Sequence, residues 1–309
     1  MSQAQTLPYS AIGAYYKARF GGRVQKLPVT VATDCPNRAG LKGMQTCVFC
    51  DEWGSSAYPE QRSQELKRQL LDTVKQRGAR YGATGYLAYF QAYTSTFLGL
   101  NRLRESFDTA LGIENVHGLI VGTRPDCLSK ALLDFWNEYA AKTYVSVELG
   151  VQSFNDAHLE FMRRGHDSQA SVRAIELIRR ACPEVDLGVH LIFGSPGETD
   201  HDAVEAARTL NRLGVGHVKL HNLHVLKGTP LAEQYAHGEF APIELDAYTE
   251  RVIAFLRHLS PEIRVHRLAA VSSRWDELVA PEWTRYKMKI SQYIIDEMKR
   301  RGAVQGQLA

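Results

Sequence analysis

The chain has 309 residues, of which 44% are hydrophobic and 23% are charged, and its formal net charge is +3. This composition is that of a folded globular protein and excludes a disordered or low-complexity chain. No stretch reaches the roughly 18 consecutive apolar residues that a membrane span needs, so we expect no membrane partner.

Strand and helix patterns alternate along most of the chain. Short apolar runs predict six strands, at residues 28–32, 85–90, 118–123, 144–149, 187–193 and 217–223. Amphipathic segments between them predict helices, at residues 61–77, 97–111, 128–140, 168–181 and 200–213. Each strand-plus-helix unit takes about 30 residues, which indicates βαβ units with parallel strands and right-handed crossovers.

Six such units are too few for a closed barrel of eight, so we predict an α/β fold, a partial (βα)6 TIM-like barrel. The pattern changes after about residue 240. From there the sequence predicts a helix at 242–259, a further strand at 263–271 and a terminal helix at 281–301. Residues 302–309 are predicted to be a frayed tail. We therefore predict a core of residues 1–240 and a mostly helical C-terminal extension of residues 241–309 that packs on it.

Cysteine usage and the N-terminus bear on location. Five cysteines are an odd number, and their spacing is unlike that of a secreted disulfide framework. The first residues lack a basic segment followed by an apolar one, which argues against a signal peptide. We therefore expect a cytoplasmic protein in a reducing environment.

Three cysteines follow the first predicted strand with the spacing Cys-x11-Cys-x2-Cys: Cys35, Cys47 and Cys50. They lie in a loop, residues 34–54, at the carboxyl end of a strand, where barrels of this kind place their chemistry. Three thiolates with one vacant coordination position suit a [4Fe–4S] cluster whose fourth iron accepts another ligand. Zinc is the competing interpretation, because a nearby aspartate or a distant histidine supplies a fourth ligand. A disulfide and ordinary buried thiols are the remaining alternatives.

Polar residues also mark the other predicted strands. Gln152 follows the fourth strand, His190 lies in the fifth, and Lys219 and His221 lie on one face of the sixth, with His224 on the other face. Polar groups in apolar strands are costly to bury without partners, so their concentration at one rim predicts a site. Lys219, His221 and His224 either line a substrate cavity or are structural.

Several motifs occur in a fixed order. They are Cys35-Pro36-Asn37-Arg38, Tyr89-Phe90-Gln91-Ala92-Tyr93-Thr94, Gly122-Thr123-Arg124-Pro125-Asp126, Glu148-Leu149-Gly150-Val151-Gln152-Ser153, Arg164-Gly165-His166 and Gly228-Thr229-Pro230-Leu231. This ordered set resembles the radical S-adenosylmethionine (radical SAM) superfamily. Within it, the chain is most similar to the YhcC-type family, which is related to the elongator catalytic subunit and to oxygen-independent coproporphyrinogen dehydrogenase.

The resemblance implies that Cys35, Cys47 and Cys50 ligate three irons of a [4Fe–4S] cluster, and that the fourth iron binds SAM. It also implies cofactor contacts: Phe49 and Gly194 near the adenine, Tyr93 and Thr94 at the methionine moiety, Gln152 and Arg164 at the ribose and carboxylate, and His190 at the ribose. The turn at Tyr93 lacks the glycines of the relatives, and Gly122 stands where relatives carry a glutamate.

Each of these side chains also has a structural interpretation. Gln152 is then a bridge between strands, Arg164 a solvated charge at a helix end, His190 a satisfied core histidine and Tyr93 part of the barrel packing. The sequence identifies no catalytic acid or base.

The implied chemistry is that of the cofactors. Reductive cleavage of SAM at the cluster yields a 5′-deoxyadenosyl radical, which abstracts hydrogen from the substrate. Such an enzyme is oxygen-sensitive and takes its electron from a flavodoxin or ferredoxin-like donor.

The sequence leaves three hypotheses for the function and the substrate. The first is a radical SAM enzyme that modifies tRNA, for example a wobble uridine. The second is a radical SAM enzyme acting on a small metabolite, and the third is a non-radical zinc or Fe–S protein that binds RNA or a protein partner. The net positive charge and the arginine-rich stretch of residues 163–180 favour RNA, although such a stretch is also typical of a solvated helix face.

Overall fold

The computed structural model describes residues 7–54, 64–271 and 275–309. A curled parallel sheet forms its centre, and helices cover the outside of the sheet. The strands are β1 Val24–Val29, β2 Gly85–Phe90, β3 Val116–Thr123, β4 Tyr144–Gln152, β5 Asp186–Phe193, β6 His217–Asn222, β7 Val225–Leu226, β8 Arg264–Val265 and β9 Leu278–Ala280. The helices are α1 Ile12–Phe20, α2 Leu66–Tyr81, α3 Leu100–Leu111, α4 Lys130–Ala140, α5 Asp156–Phe161, α6 Ser168–Ala181, α7 Asp200–Leu213, α8 Pro230–Ala236, α9 Leu245–His258 and α10 Lys287–Arg300.

The main sheet has the strand order β1-β2-β3-β4-β5-β6-β8, and each neighbouring pair is parallel. A side-chain contact shows how strongly it curls. Lys26 Nζ of β1 lies 2.9 Å from Glu148 Oε1 of β4, although three strand spacings would separate these strands by about 14 Å in a flat sheet. The concave face therefore encloses a lumen, and the predicted α/β partial barrel is confirmed.

Helix α1 closes the lower end of the lumen, at the amino ends of the strands. Its Tyr16 packs edge-on against Tyr144 at the start of β4, and Phe20 does the same. Ser10, just before α1, accepts a 2.7 Å hydrogen bond from the Val265 amide of β8. These contacts close the lumen at the amino ends of the strands.

Strands β1 and β8 differ most from prediction. Strand β1 begins four residues before the predicted run of 28–32 and ends at Val29, because the polar Lys26 that interrupts the apolar pattern points into the lumen. Strand β8 has only two residues where 263–271 was predicted. Beyond it, His266 turns inward and lies 2.8 Å from Lys26 Nζ, filling the gap between the edges of the sheet.

The predicted helices 168–181 and 200–213 are confirmed as α6 and α7. The helix predicted from residue 61 begins at Leu66, and residues 61–63 lie outside the described residues. Helices α1, α5 and α8 were missed because they are too short to show a clear period. The predicted helix 281–301 is a 3₁₀ turn followed by α10.

The prediction of a frayed tail was wrong. The amide of Gln305 donates to the Pro8 carbonyl at 2.9 Å, and the amide of Leu308 donates to the Arg257 carbonyl at 2.7 Å. Ala303 is buried. These backbone hydrogen bonds dock residues 302–309 on α9 and on the segment before α1, contacts that a local pattern does not encode.

The C-terminal part covers the outer face of the core. Helix α9 packs against α7, and α10 packs against α9. Arg251 of α9 forms a 2.9 Å salt bridge with Glu198, just before α7. The domain boundary at residue 240 stays a prediction. Within the described residues, no helix has the length and apolar character that a membrane crossing requires.

Candidate active site

The three cysteines of the 34–54 loop lie together above the carboxyl end of β1. Cys47 is buried, Cys35 and Cys50 are half-buried, and all three are free thiols. The Cys50 amide donates to the Cys47 carbonyl at 3.0 Å, which forms a tight turn between them. Burial and then the neighbouring Cys47 thiol raise the pKa of Cys50 to about 12, and Cys35 contributes in the same direction. The loop thus brings three thiols close enough to influence one another.

Asn37 and Arg124 hold this loop against the segment between α5 and α6. The Asn37 side-chain amide donates to the carbonyls of Gln45 and Arg163, at 2.7 and 2.6 Å. Arg124 donates to the Asn37 side-chain oxygen and, at 2.6 Å, to the Arg164 carbonyl. Both Arg124 and Asn37 are buried, so the motif residues around Arg124 fix the position of the cysteine loop.

Arg164 connects the cysteine loop to strand β4. Its Nη1 lies 3.2 Å from Cys47 Sγ, and its Nη2 donates to the Gly150 carbonyl at 2.9 Å. Its Nε is buried and has no hydrogen-bond partner among the described residues. Arg164 is 6% exposed, so its interpretation as a solvated helix-end charge was wrong.

Gln152 lies beside Arg164 at the end of β4. It adopts a left-handed backbone conformation, with φ 70°, which is uncommon outside glycine and concentrates at functional sites. Its Oε1 is buried and unpartnered within the described part of the chain. A Cβ at Gly150 would lie 3.0 Å from Gln152 Nε2 and 3.5 Å from Arg164 Nη2. The two side chains that carry unpartnered buried atoms, Gln152 Oε1 and Arg164 Nε, therefore meet at Gly150, and Arg164 also contacts Cys47.

Tyr93 and Thr94 form a turn after β2 that contacts the cysteine loop from the other side. The Tyr93 amide donates to the Gly54 carbonyl at 3.1 Å, and its hydroxyl donates to the Glu52 carbonyl at 2.8 Å. Gly54 is required there, because its φ is 60° and a Cβ would lie 2.4 Å from the Tyr93 ring. Thr94 is buried, and its amide lies 3.5 Å from the Asp34 carbonyl.

Phe49 and Gly194 lie on the side of the site formed by β5 and the C-terminal part. Phe49 packs against a small apolar cluster that includes Val48, Met162 and Leu231. Gly194 has φ 107°, and a Cβ there would lie 2.9 Å from Ile243 Cγ2. The structure therefore gives Gly194 a backbone reason and a packing reason to be glycine.

Glu148 forms the centre of a polar network on the concave face of the sheet. Its carboxylate lies 2.6 Å from His190 Nε2 and 2.9 Å from Lys26 Nζ, and it accepts hydrogen bonds from the Tyr89 hydroxyl at 2.7 Å and from Lys219 Nζ at 3.2 Å. Burial by itself would raise the pKa of Glu148. The positive charges of Lys219 and Lys26 outweigh burial and hold this pKa well below its ordinary value. Burial, followed by Lys219, lowers the pKa of His190 to about 4, so His190 is neutral at pH 7.

A second layer lies below this network. His266 Nε2 lies 2.7 Å from His217 Nδ1, and His217 Nε2 lies 3.0 Å from Ser146 Oγ. Gly188 of β5 makes room for His217, because a Cβ there would lie 1.9 Å from His217 Cε1. The polar interior therefore continues to the lower end of the barrel.

Gly188→Ala is expected to destabilise the protein. The added methyl group clashes with a ring held on both sides, and such overpacking costs about 1–3 kcal/mol. Gly13→Ala in α1 is the matched control, because no atom lies within 4 Å of the added Cβ, and its effect should be neutral or slightly stabilising. Thermal unfolding of both variants checks this, and equal midpoints would contradict the tight fit at Gly188.

The structure brings the predicted site residues together only in part. The three cysteines, Gln152 and Arg164 form one cluster, with Tyr93 and Thr94 behind the cysteine loop. His190, Lys219 and His221 lie in the lumen below, and His224 lies beyond the end of β6. Lys26, Tyr89, His266 and Arg267 were missed as lumen residues. Two features of the sequence could have identified them: a lysine, Lys26, within an otherwise apolar strand, and the adjacent pair His266-Arg267 within the predicted strand 263–271.

Comparison with known proteins identifies the family. The chain matches the Radical SAM superfamily over residues 30–210 and the Radical_SAM C-terminal domain over residues 215–300. It is 39% identical over 266 residues to the protein YhcC of Escherichia coli K12, covering 86% of this chain and 84% of YhcC. The chain therefore belongs to the radical SAM superfamily and is a radical SAM enzyme, and the resemblance to YhcC is confirmed.

Two further matches extend this comparison. The chain is 30% identical over 154 residues to a tRNA uridine(34) acetyltransferase of Methanocaldococcus infernus, covering 48% of this chain and 28% of that protein. The solved structure of archaeal M. infernus Elp3 with an N-terminal deletion matches with a TM-score of 0.70 at 17% identity, covering 91% of this chain and 64% of Elp3. The second match shows a shared fold.

Family membership implies a [4Fe–4S] cluster and SAM. The described residues fit both groups. Three free thiols in one loop are the donor set that such a cluster needs, with one iron left for another ligand. The unpartnered Gln152 Oε1 and Arg164 Nε, next to Cys47, are hydrogen-bonding groups available to a polar cofactor.

Proposed function

We propose that this radical SAM enzyme holds a [4Fe–4S] cluster on Cys35, Cys47 and Cys50, binds SAM beside Gln152 and Arg164, and modifies tRNA. The observation that carries the first two parts is the position of Arg164. One buried guanidinium contacts a cluster-loop thiol and the Gly150 carbonyl, and retains an unpartnered nitrogen. A guanidinium at this point is suited to the carboxylate of SAM.

When bound, the cluster and SAM supply the reductive cleavage that generates a hydrogen-abstracting 5′-deoxyadenosyl radical. The chain's residues bind, orient and shield. Arg164 and Gln152 orient SAM at the end of β4, and α1 with its aromatic side chains keeps water from entering the lumen at its lower end. Asn37 and Arg124 hold the loop that carries the thiols.

The remaining cofactor contacts are proposed from their places around this centre. His190 faces the lumen and is neutral at pH 7, so its imidazole is available to a ribose hydroxyl. Phe49 and Gly194 lie on the side where an adenine would pack, and the Tyr93–Thr94 turn would approach the methionine moiety. Radical SAM enzymes in general need an electron donor, and we propose a flavodoxin or ferredoxin-like protein for this role.

Two observations support tRNA as the substrate. Nearly half of the chain aligns with a protein whose name assigns it to tRNA uridine 34. Several arginines in the stretch from Arg163 to Arg180 are exposed, namely Arg163, Arg173, Arg179 and Arg180, and such side chains bind phosphates. A base from a single-stranded loop would reach the lumen by flipping outward, at a cost of a few kcal/mol.

Cells without this protein are expected to lack at least one modified nucleoside in bulk tRNA, as measured by mass spectrometry of digested tRNA. Return of the wild-type gene should restore the nucleoside, and return of a Cys47→Ala gene should not. In vitro, tRNA binding should weaken steeply as salt rises, because phosphate contacts release counterions. An unchanged nucleoside profile together with salt-insensitive or absent binding would favour a small metabolite instead.

A further inference from the structure

The lumen contains more positive than negative charge. Lys26 and Lys219 share one carboxylate, Glu148, at 2.9 and 3.2 Å. Asp186, at the lower end, already pairs with Arg264 at 2.8 Å. Burial lowers the pKa of Lys219 to about 7, which favours its neutral form. When Lys219 is neutral, the positive charge of Lys26 alone still balances the negative charge of Glu148.

Arg267 adds a further cation to this enclosed space. Its Nη2 lies 2.7 Å from His221 Nδ1, and its Nε donates to the Leu220 carbonyl at 3.2 Å. No carboxylate in the described ranges lies within ion-pair distance of it. A guanidinium in such surroundings without an anion is costly, because its charge loses solvation without a compensating partner.

The histidines do not supply negative charge, and they respond to the positive surroundings. Burial and then Arg267 lower the pKa of His221 well below its ordinary value, and His190 and Lys219 act in the same direction. Burial and then Lys26 do the same for His266. His190, His221 and His266 are therefore neutral at pH 7. The charge of this part of the lumen is set by four other side chains: Lys26, Lys219, Arg267 and Glu148.

Two of these cations are partly exposed to solvent. The side chains of Lys26 and Lys219 are 23% and 10% exposed, although they point to the concave face of the sheet. Glu148 is 0% exposed. A molecule in the lumen would therefore contact these cations rather than the fully buried carboxylate.

We propose that the floor of the lumen, formed by Lys26, Lys219 and Arg267, binds an oxyanion of the substrate, a carboxylate or a phosphate. This deepens and rests on the proposed function, because the same cavity would receive the acceptor. Arg267 supplies a planar pair of donors suited to two oxygens of one anion, and Lys26 and Lys219 supply point charges. The oxyanion offsets the cation excess and fixes the orientation of the carbon that is to react.

Equilibrium dialysis with labelled inorganic phosphate tests this on the cluster-loaded protein, kept anaerobic and at constant ionic strength. Wild type should show saturable binding that acetate displaces and neutral acetamide does not. Arg267→Gln should weaken binding by about tenfold or more, as for the loss of a charged hydrogen-bond partner, and Arg267→Lys should retain part of it. Arg212→Gln, at an exposed position of α7, is the control and should bind as wild type does.

Glu148→Gln gives an expected change of opposite sign. It keeps an oxygen acceptor for the Tyr89 hydroxyl but removes the competing negative charge, so phosphate should bind more tightly. A purely structural role for the network predicts no gain. Absence of saturable phosphate binding in wild type, equal binding by Arg267→Gln, or weaker binding by folded Glu148→Gln would each overturn the proposal.

Measurements of iron content, SAM cleavage and phosphate binding distinguish a failure of the oxyanion site from a failure of the proposed function. Wild-type protein that holds iron and cleaves SAM but binds no phosphate refutes only the oxyanion site. Phosphate binding by a protein that holds no iron refutes only the cluster assignment. Displacement of bound phosphate by an anticodon-loop oligonucleotide assigns the oxyanion to RNA, whereas displacement by small carboxylates alone assigns it to a metabolite.

Discussion

Alanine in place of Cys35, Cys47 or Cys50 is expected to lower the iron content of anaerobically reconstituted protein from about four atoms per chain to background. Each thiol would supply one of three iron ligands, and the described loop offers no other thiol to replace it. Iron and sulfide analysis, together with the visible absorption spectrum, measures this directly. The loss of release of 5′-deoxyadenosine with dithionite should follow the loss of iron.

Cys182→Ala is the matched control, since Cys182 is buried in the outer core and its thiol faces the Leu133 carbonyl. This variant should retain the full iron content. Full iron in the triple variant of Cys35, Cys47 and Cys50 would refute the cluster assignment. Zinc in the purified wild type, with no iron after reconstitution, would refute the assignment of the three cysteines to an iron–sulfur cluster.

Gln152→Ala is expected to weaken SAM binding by about tenfold without changing iron content, because it removes one hydrogen-bonding group at the end of β4. Arg164→Gln should weaken SAM binding by more, since it also removes the charge proposed to face the SAM carboxylate. Calorimetric titration of SAM into cluster-loaded protein measures both. Iron is determined first, because Arg164 also lies 3.2 Å from Cys47 Sγ.

Arg163→Gln provides the control for this series. Arg163 is the exposed neighbour of Arg164, so this substitution removes an exposed charge and leaves Arg164 in place. It should bind SAM as wild type does. Wild-type affinity in both Gln152→Ala and Arg164→Gln, with iron intact, would remove SAM from this position.

The sequence determined the alternation of strands and helices and therefore the parallel sheet. Helices α6 and α7 follow directly from apolar residues spaced at a helical period, and β2 follows from a continuous apolar run. The cysteine spacing and the ordered motifs indicated the family, because each motif is a short contiguous stretch. These features are local, so they are readable without knowing how the chain curls.

Only the tertiary structure decided what the lumen contains. Lys26 and Glu148 are 122 residues apart, and Tyr89 and Lys219 are 130 residues apart, yet the curl of the sheet brings all four into one network. For this reason the start of β1 was not predicted correctly. A charged residue such as Lys26 indicates an exposed position unless its distant partner is known. The contact of Arg164 with Cys47 arises in the same way, across 117 residues. Residue type and local period determine which face a side chain occupies, whereas the partner on that face depends on the long-range path of the chain.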